Sequence, residues 1–533
     1  QHDADAEDTL SDLWSEVSGR YPDFESEELD ARNELLVRDF AGQLDACAHA
    51  FHALANESIE TRDITLSALR RAITALIASF PAYRTYATAG GAPGSDAPIL
   101  ARAVDGAHEL SAPGEEPVID FVAAWLSGAS TGDAQLRGEA VARFQQLSAP
   151  IAAKAVEDTA FYRYGRLLSR NDVGFDAGRF AYSREAFHAD VAARAQDFPA
   201  AMLATATHDH KRGEDVRARL AAISEDPVAW AEHVSRWFEF NRRFSQDAID
   251  PSDEYMLYQM IVGAWPLALD AGDTKGLREF AERLAGWQMK ALREGKVNSS
   301  WRAPDENYET SCRRFLETIL DPATDDGFLG DIGGYVEKIA AVGALNGITQ
   351  VFLRSTVPGV PDLFQGCEFW DFSLVDPDNR RPVDFSLREE ALAAGVGLEE
   401  LMENWRDGCI KQAVIHRVLE ARAAAGNLFG ESEYIPLEVR GARASSVIAF
   451  ARRRSSSLMI AAACRLAGEG LREAGQPVPP EGWWRDTALI IPPDLVDTEL
   501  GDAFGLTEAT PLGTRLEAAS LFRVLPVALR YVV

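Results

Sequence analysis

The sequence is poor in cysteine: Cys47, Cys312, Cys367, Cys409 and Cys464 are its five, and no two of them form a C-x-x-C pair. That scatter excludes a disulfide framework and a cysteine zinc site, and it fits a reducing, cytoplasmic compartment. No apolar run approaches about 18 residues, so no membrane span is expected. The opening "QHDADAEDTLSDLW" lacks a basic region followed by an apolar core, which excludes a secretory signal. It also lacks a Met, which points to part of a longer gene product. There is no GxSxG, no P-loop, no GxGxxG and no HExxH. Acyl, phosphoryl and hydride transfer therefore have no sequence handle, and neither a metal nor a cofactor is expected. Positive charge is scarce as well. Lys plus Arg number 53 against 83 Asp plus Glu, a formal charge of −30. Such a field repels nucleic acid and anionic membranes and leaves a neutral substrate, such as a sugar, unpenalised. The same acidity also serves plain solubility.

What is present is ordinary globular composition, 47% hydrophobic and 9% aromatic over 533 residues, long enough for roughly two to four domains. Residues 1–195 read as helix after helix. "ARNELLVRDFAGQLDACAHAFHALA" and "TRDITLSALRRAITALIASFPAYRTY" carry apolar residues at three- and four-residue spacing. "GEAVARFQQLSAPIAAKAVEDTAFYRYGRLLS" continues the pattern. At 199–207, "PAAMLATAT" is a short run of small and apolar residues that predicts a buried parallel strand. "ITQVFLRST" predicts a second strand, followed by the loop "VPGVPDLFQGCEFWDF", where Pro358, Gly359 and Pro361 exclude helix. Between the two lie further helices, about 226–345. After 430 come short β-rich segments, "SVIAFARR", "SLMIAAACRL", "TALIIPP" and "LFRVLPVALRYVV", which predict a separate antiparallel β domain. The expected division is a helical region over 1–195, a region of α/β character over 196–430 with a helical insertion at about 226–330, and a β domain over 431–533.

Three stretches carry candidate chemistry. "ATATHDHKRGEDVRARL", 204–220, breaks from small residues into His208–Asp209 and then a charged helix. A carboxylate where a strand emerges suits barrel catalysis; as a helix N-cap it needs no function. "PGVPDLFQGCE", 358–368, offers an aromatic face, an amide and Glu368, which suits a sugar or serves as an ordinary loop. "AKAVEDTAFYRYGR", 153–166, packs Lys154, Tyr162 and further aromatics and charges into one stretch, as a core helix also does. "DFSLVDPDNRRPVDF" reads as a solvated loop with internal ion pairs.

The first of these stretches resembles a signature region of the α-amylase superfamily, in the form found in maltooligosyltrehalose synthases, T-H-D-T-K-R-S-E-D-V-R-A-R. "PGVPDLFQGCEFWDFSLVDPDNRRPVDF", "KAVEDTAFYRY", "SFPAYRTY", "MKALREGKVNSSW" and "LFRVLPVAL" are similar to the same family, so the likeness runs from about residue 30 to 530. It implies an α/β fold, the C-terminal part of a (β/α)8 barrel with large helical insertions and a following all-β domain. It implies intramolecular transglycosylation, in which the reducing-end α-1,4 bond of a maltooligosaccharide becomes an α,α-1,1 bond, as in trehalose biosynthesis. On the matched positions Asp209 is the catalytic carboxylate that stabilises developing charge, and His208 binds substrate beside it. Lys154, Tyr162, Arg212 and Glu368 fall in matched motifs as wall or subsite residues. Asp209 and His208 are expected to face one concave pocket together with the loop 358–368. The family's nucleophile and acid/base have no counterpart in these residues, so the resemblance implies a separate N-terminal half-barrel polypeptide as partner. A non-catalytic α-glucan-binding protein and an α-glucan hydrolase are the rival readings. Two departures stand next to Asp209: His210 where the family has Thr, and Gly213 where it has Ser.

Overall fold

The computed structural model describes residues 1–129, 133–245, 248–472 and 474–532. Two compact units emerge, one of residues 1–20, 166–290 and 306–533, the other of residues 21–165 and 291–305. The three-way division at 195 and 430 follows different lines, because residues 166–195 and the β-rich tail both pack within the larger unit.

The chain opens on α1 (Glu7–Ser18), in the larger unit. The smaller unit is helical: α2 (Phe24–Arg38), α3 (Ala41–Ala55), α4 (Leu66–Ala78), α5 (Ala97–Leu110), α6 (Glu116–Ser127) and α7 (Ala134–Ile151). Side-chain caps set three of these starts: Asp23 on Ser26 N, Thr65 on Ala68 N, and Asp133 on Gln135 N and Leu136 N. Their apolar stripes meet in a core that buries Phe51, Leu69, Leu76, Trp125 and Phe144. The expected run of helix beyond 151 does not hold. Pro150 lies inside the last turn of α7, and the backbone widens into a π-helical turn over Ala152–Glu157 before helix gives way to short 3-10 turns. A proline ring removes one helical donor and crowds the preceding turn, which accounts for the loosening.

The larger unit continues with α8 (Arg184–Asp197), β1 (Met202–Leu203), α9 (Glu214–Ala221), α10 (Pro227–Ser245), α11 (Pro251–Ala264), α12 (Thr274–Gly295), α13 (Glu306–Ile319), α14 (Phe328–Thr356) and β2 (Val360–Pro361). Two expectations need correction here. "ITQVFLRST" is the last part of α14, not a strand. The second half of this helix is buried nearly all round, with Ile348, Val351 and Phe352 inaccessible, and a helix segment buried on every side has local text like that of a buried strand. The strand within 199–207 is only two residues long, and Met202 stands 73% exposed instead of buried. β1 and β2 are nevertheless parallel, with Met202 opposite Val360 and Leu203 opposite Pro361.

After α15 (Cys409–Ala424) the tail forms β3 (Glu433–Pro436), β4 (Glu438–Arg440), β5 (Val447–Arg454), β6 (Ser457–Cys464), β7 (Ala488–Ile490), β8 (Glu499–Asp502), β9 (Thr510–Pro511), β10 (Arg515–Glu517) and β11 (Val527–Tyr531). They make a six-stranded antiparallel sheet in the order β3-β5-β6-β11-β8-β9 and a three-stranded one in the order β10-β7-β4. One face of the larger sheet packs on α14 and α15. Phe450, Met459, Ala461 and Leu529 from the strands share a core with Ile348, Phe352, Val414 and Val418. The Thr349 hydroxyl donates to Cys464 O at 2.9 Å, fastening helix to strand at the centre of that contact.

Candidate functional site

The segment between β1 and α9 is a surface loop tied down from below by buried charge. Within it Asp209 and His208 are exposed. Each end of the loop is fixed separately. At the α9 end the Asp172 carboxylate accepts from the backbone N–H groups of Lys211 and Arg212 at 3.1 and 3.2 Å, and from Arg217 Nη1 at 2.6 Å. At the β1 end Thr205 is held by both atoms of interest: its carbonyl accepts from Arg217, and its hydroxyl lies between Glu214 and Arg354 Nη1, the latter at 2.7 Å. Behind these, Lys411 Nζ sits 2.6 Å from Glu214 Oε1 and 2.6 Å from Asp215 Oδ2, with all three side chains buried. Two carboxylates and one ammonium thus share a buried pocket. Burial pushes the Asp215 carboxyl up to about 6, with Glu214 adding and Lys411 opposing. For Glu214 burial works in the same upward direction, but Lys411 and Arg354 outweigh it and hold the carboxyl below its usual range.

The second loop joins the first through main-chain and side-chain hydrogen bonds and one ring contact. Gly213 N donates to Ser373 O at 2.8 Å, Arg212 and Leu374 form an isolated antiparallel bridge, and Asp371 N donates to Asp215 Oδ2 at 2.7 Å. His210 is buried, its Nε2 3.2 Å from Ser373 Oγ and its ring edge-on to Phe364 at 5.7 Å. Asn379 reaches across to His208 O at 3.0 Å. Asp376 and Asp378 pair with Lys290 and Arg283 of α12 at 2.5 and 2.9 Å, so the 371–385 loop is anchored on a helix as well as to itself. Burial lowers the His210 pKa, with Asp371 and Asp172 opposing.

The sequence candidates therefore separate. His208 and Asp209 sit together on the exposed crest of the pinned loop, downstream of the parallel strand. They do not line the larger unit's cavity of about 440 Å³ that Thr205 and Val357 reach. Glu368 lies close to the second loop's centre and pairs with Arg388 at 3.0 Å. Arg212 departs from its expected place in a sugar-binding wall. It is 1% exposed and donates to Asn171 O at 2.7 Å beneath the loop, so it supports backbone. Lys154 and Tyr162 belong to the smaller unit. Lys154 is 2.6 Å from Asp158, and Tyr162 is buried. There the quoted motifs converge: Tyr83 bonds Glu157, Lys296 Nζ reaches Thr159 Oγ1 at 2.8 Å, and Arg163 Nε reaches Gly295 O at 2.5 Å. Among the described residues no cluster of three or more His, Cys, Asp or Glu has a metal-holding arrangement, and no helix is long and apolar enough to cross a membrane. Sequence reading missed Asp172, Arg217, Arg354 and Lys411. The signal available for the last was a lone lysine inside the apolar text "CIKQAVI".

No family model matches the chain. Two curated relatives, from Mycobacterium tuberculosis strains CDC 1551 and H37Rv, are described as "Putative maltooligosyl trehalose synthase". Each is 35% identical over 352 residues, 66% of this chain and 42% of the relative. The solved maltooligosyltrehalose synthase of Arthrobacter ramosus aligns over 99% of this chain and 61% of its own, at 30% identity with a TM-score of 0.76. A Sulfolobus tokodaii structure, described as a hypothetical maltooligosyl trehalose synthase, aligns over 98% of this chain at 24% identity and TM-score 0.69, a likeness of fold. This chain resembles the maltooligosyltrehalose synthases, and it spans 42% of the length of the curated relatives it matches.

Proposed function

We propose that this chain, a homologue of the maltooligosyltrehalose synthases, supplies part of the active site of such an enzyme, and that it acts with the portion of the relatives' length it does not span. The reaction so read is an isomerisation within one maltooligosaccharide, in the cytoplasm, for trehalose biosynthesis. β1 and β2 are on this reading two neighbouring strands of a (β/α)8 barrel, and His208–Asp209 emerge at its carboxyl end, where barrel enzymes keep their chemistry.

The observation that carries the reading is the pinned loop. A retaining transfer needs a carboxylate nucleophile and a carboxylic acid/base about 5 Å apart, and passes through an oxocarbenium-like state. In the first displacement the C1–O4 bond to the reducing-end glucose breaks, the acid gives its proton to O4, and the nucleophile's oxygen bonds C1. In the second, the anomeric hydroxyl oxygen of that same glucose attacks C1, the acid/base takes the hydroxyl proton, and the ester bond breaks. Nucleophile and acid/base are assigned to the portion outside this chain. Asp209 supplies the fixed negative charge that favours the positive anomeric centre, and His208 a hydrogen bond to a sugar hydroxyl. A carboxylate does this well only if its backbone is already in place. Asp172, Arg217, Glu214 and Lys411 provide that, because each loop end is bonded to buried ions that cannot move without exposing unpaired charge. Glu368 and, on the smaller unit, Lys154 and Tyr162 are read as subsite residues. No cofactor enters these steps.

The test is the fate of reducing ends when the chain is combined with the uncovered portion of the Arthrobacter ramosus synthase and given maltopentaose. Loss of reducing ends with no change in total saccharide supports the isomerisation. New reducing ends would mean a hydrolase, and bound but unchanged maltopentaose a glucan-binding protein.

A further inference from the structure

Exposure changes abruptly at one residue of the pinned loop. Thr207, His208 and Asp209 are exposed, whereas every residue from His210 to Arg217 is buried. The bonds within this crest are long: Asp209 N to Thr207 Oγ1 is 3.3 Å, and His210 N to Thr207 O is 3.4 Å. The turn that presents Asp209 therefore depends on side chains at its ends. One is Asn379, whose amide donates to His208 O at 3.0 Å. The other is the His210 ring.

That ring is 2% exposed and lies between the two loops. Its Nε2 is 3.2 Å from Ser373 Oγ, and its edge meets Phe364. Ser373 is itself fixed, its N–H donating to Asp371 Oδ1 at 3.0 Å and its carbonyl accepting from Gly213 N at 2.8 Å. The Nδ1 atom is enclosed and has no hydrogen-bond partner among the described residues. A neutral imidazole needs one donor and one acceptor position, and an imidazolium carries N–H on both nitrogens. At Nδ1 that charged donor meets no acceptor, which makes protonation in place costly. The threonine of the family motif at this position has neither a ring to reach Phe364 nor a nitrogen to titrate.

We propose that His210 is a proton-operated brace that positions Asp209: as a neutral ring it holds the crest Thr207–Asp209 against the second loop, and on protonation it releases the crest into solvent. The bearing on catalysis rests on the role read for Asp209 above. The charged groups facing the ring come from three sides: Asp172 beneath it, Asp371 on the second loop, and Glu214 and Arg217 on α9. The three carboxylates favour a charged ring and Arg217 opposes it. Burial outweighs the carboxylates, so the braced ring binds its proton less readily than a solvated one. The brace is therefore intact above the ordinary histidine value near pH 6.5 and weakens as pH falls below it.

The test is amide hydrogen exchange on the full 533-residue chain at pH 7.5 and pH 5.5, with each rate divided by its intrinsic value. Protection of the 207–210 amides should fall at least about threefold over that interval, within the roughly tenfold per pH unit that one proton allows, while the amides of α14 keep theirs. His210→Thr and His210→Gln should each remove this pH dependence, with folding checked by circular dichroism. In the assembly with the uncovered portion of the Arthrobacter ramosus synthase, kcat on maltopentaose is then compared at the same two pH values. Its fall on acidification should be at least about threefold greater for the parent than for His210→Thr, by the same linkage, with KM less affected. The inference is overturned if crest protection does not change with pH, if α14 loses protection in parallel, if both folded variants keep the parent's pH dependence, or if an active assembly shows equal kcat ratios. An assembly without turnover contradicts the functional reading, and the exchange measurements still decide the brace.

Discussion

At the scale of single residues the site is an arrangement of buried ions under an exposed loop, and Lys411 is its hinge of charge. Its ammonium is the only cation contacting Asp215 among the described residues, and it also neutralises Glu214. Lys411→Met leaves two carboxylates buried against each other. The expected loss is about 3–5 kcal/mol, the range for breaking a buried pair, read by urea denaturation; a loss under about 1 kcal/mol would mean water reaches the cluster. His210 gives a pH signature. Its folded pKa is lowered by burial while Asp371, Asp172, Arg217 and Glu214 face it. The unfolded chain therefore takes up a proton near pH 6.5 that the folded chain refuses, and this contribution to stability falls as pH drops below about 6.5. His210→Thr removes the effect, so the variant's melting temperature should gain on the parent's between pH 7 and pH 5. A pH-independent gap between the two would contradict the assignment. Gly213 explains the other departure next to Asp209. A Cβ there would stand 2.5 Å from the Asp371 carbonyl oxygen, so the serine of the family motif does not fit against this loop. The candidate motifs were legible in the sequence at this scale, but their supporting ions were not. Asp172 and Lys411 lie 37 residues before and 202 after Asp209 in the chain (209 − 172 and 411 − 209), and no local pattern announces a contact at that separation.

At the scale of elements, α14 positions α9 through two glycines. A Cβ on Gly343 would come within 2.9 Å of Arg219 Cα, and one on Gly347 within 2.4 Å of Asp215 Oδ1 and 3.1 Å of the Trp370 ring. The close approach of the two helices, and so the depth at which Asp215 lies, depends on the missing side chains. Gly330 in the same helix faces open space. Gly347→Ala should therefore cost about 1–3 kcal/mol, as overpacking does, whereas Gly330→Ala should gain roughly 0.5–1 kcal/mol from helix propensity. Equal effects by chemical denaturation would show that the helix contact is not close-packed. The helices of the smaller unit were readable because their periodicity is carried by one apolar face, and the strands of the tail because they are short apolar segments separated by turn residues, although β5 and β6 are buried on both faces. α14 was readable only in its first half. Once a helix is buried on every side the three-to-four spacing disappears, and "ITQVFLRST" looks like a strand. β1 was overestimated for a related reason: small apolar text indicates what the segment can pair with, and among the described residues only β2 pairs with it.

At the scale of the whole molecule, the −30 charge and the coverage of 61% of the solved synthase's chain bear on the same proposal. An acidic surface meets a neutral glucan without electrostatic attraction or penalty, as the proposed substrate requires. The likeness to the synthases was legible in the sequence as long motifs. The division into compact units was not, since residues 291–305, which begin within the last turns of α12, belong to the smaller unit while the rest of that helix belongs to the larger, a division set by tertiary packing. The account's central claim is that Asp209 stabilises charge in a glucosyl transfer completed by the uncovered portion. It is tested most directly by the rate at which the reconstituted assembly consumes the reducing ends of maltopentaose, compared with the same assembly carrying Asp209→Asn. Groups in a concerted set act as a unit, so the variant should be slower by on the order of 10³-fold or more, with maltopentaose binding retained. A variant that isomerises maltopentaose within about tenfold of the parent rate would contradict it, and Asp209 would then be a solvent-facing residue of a loop built for something else.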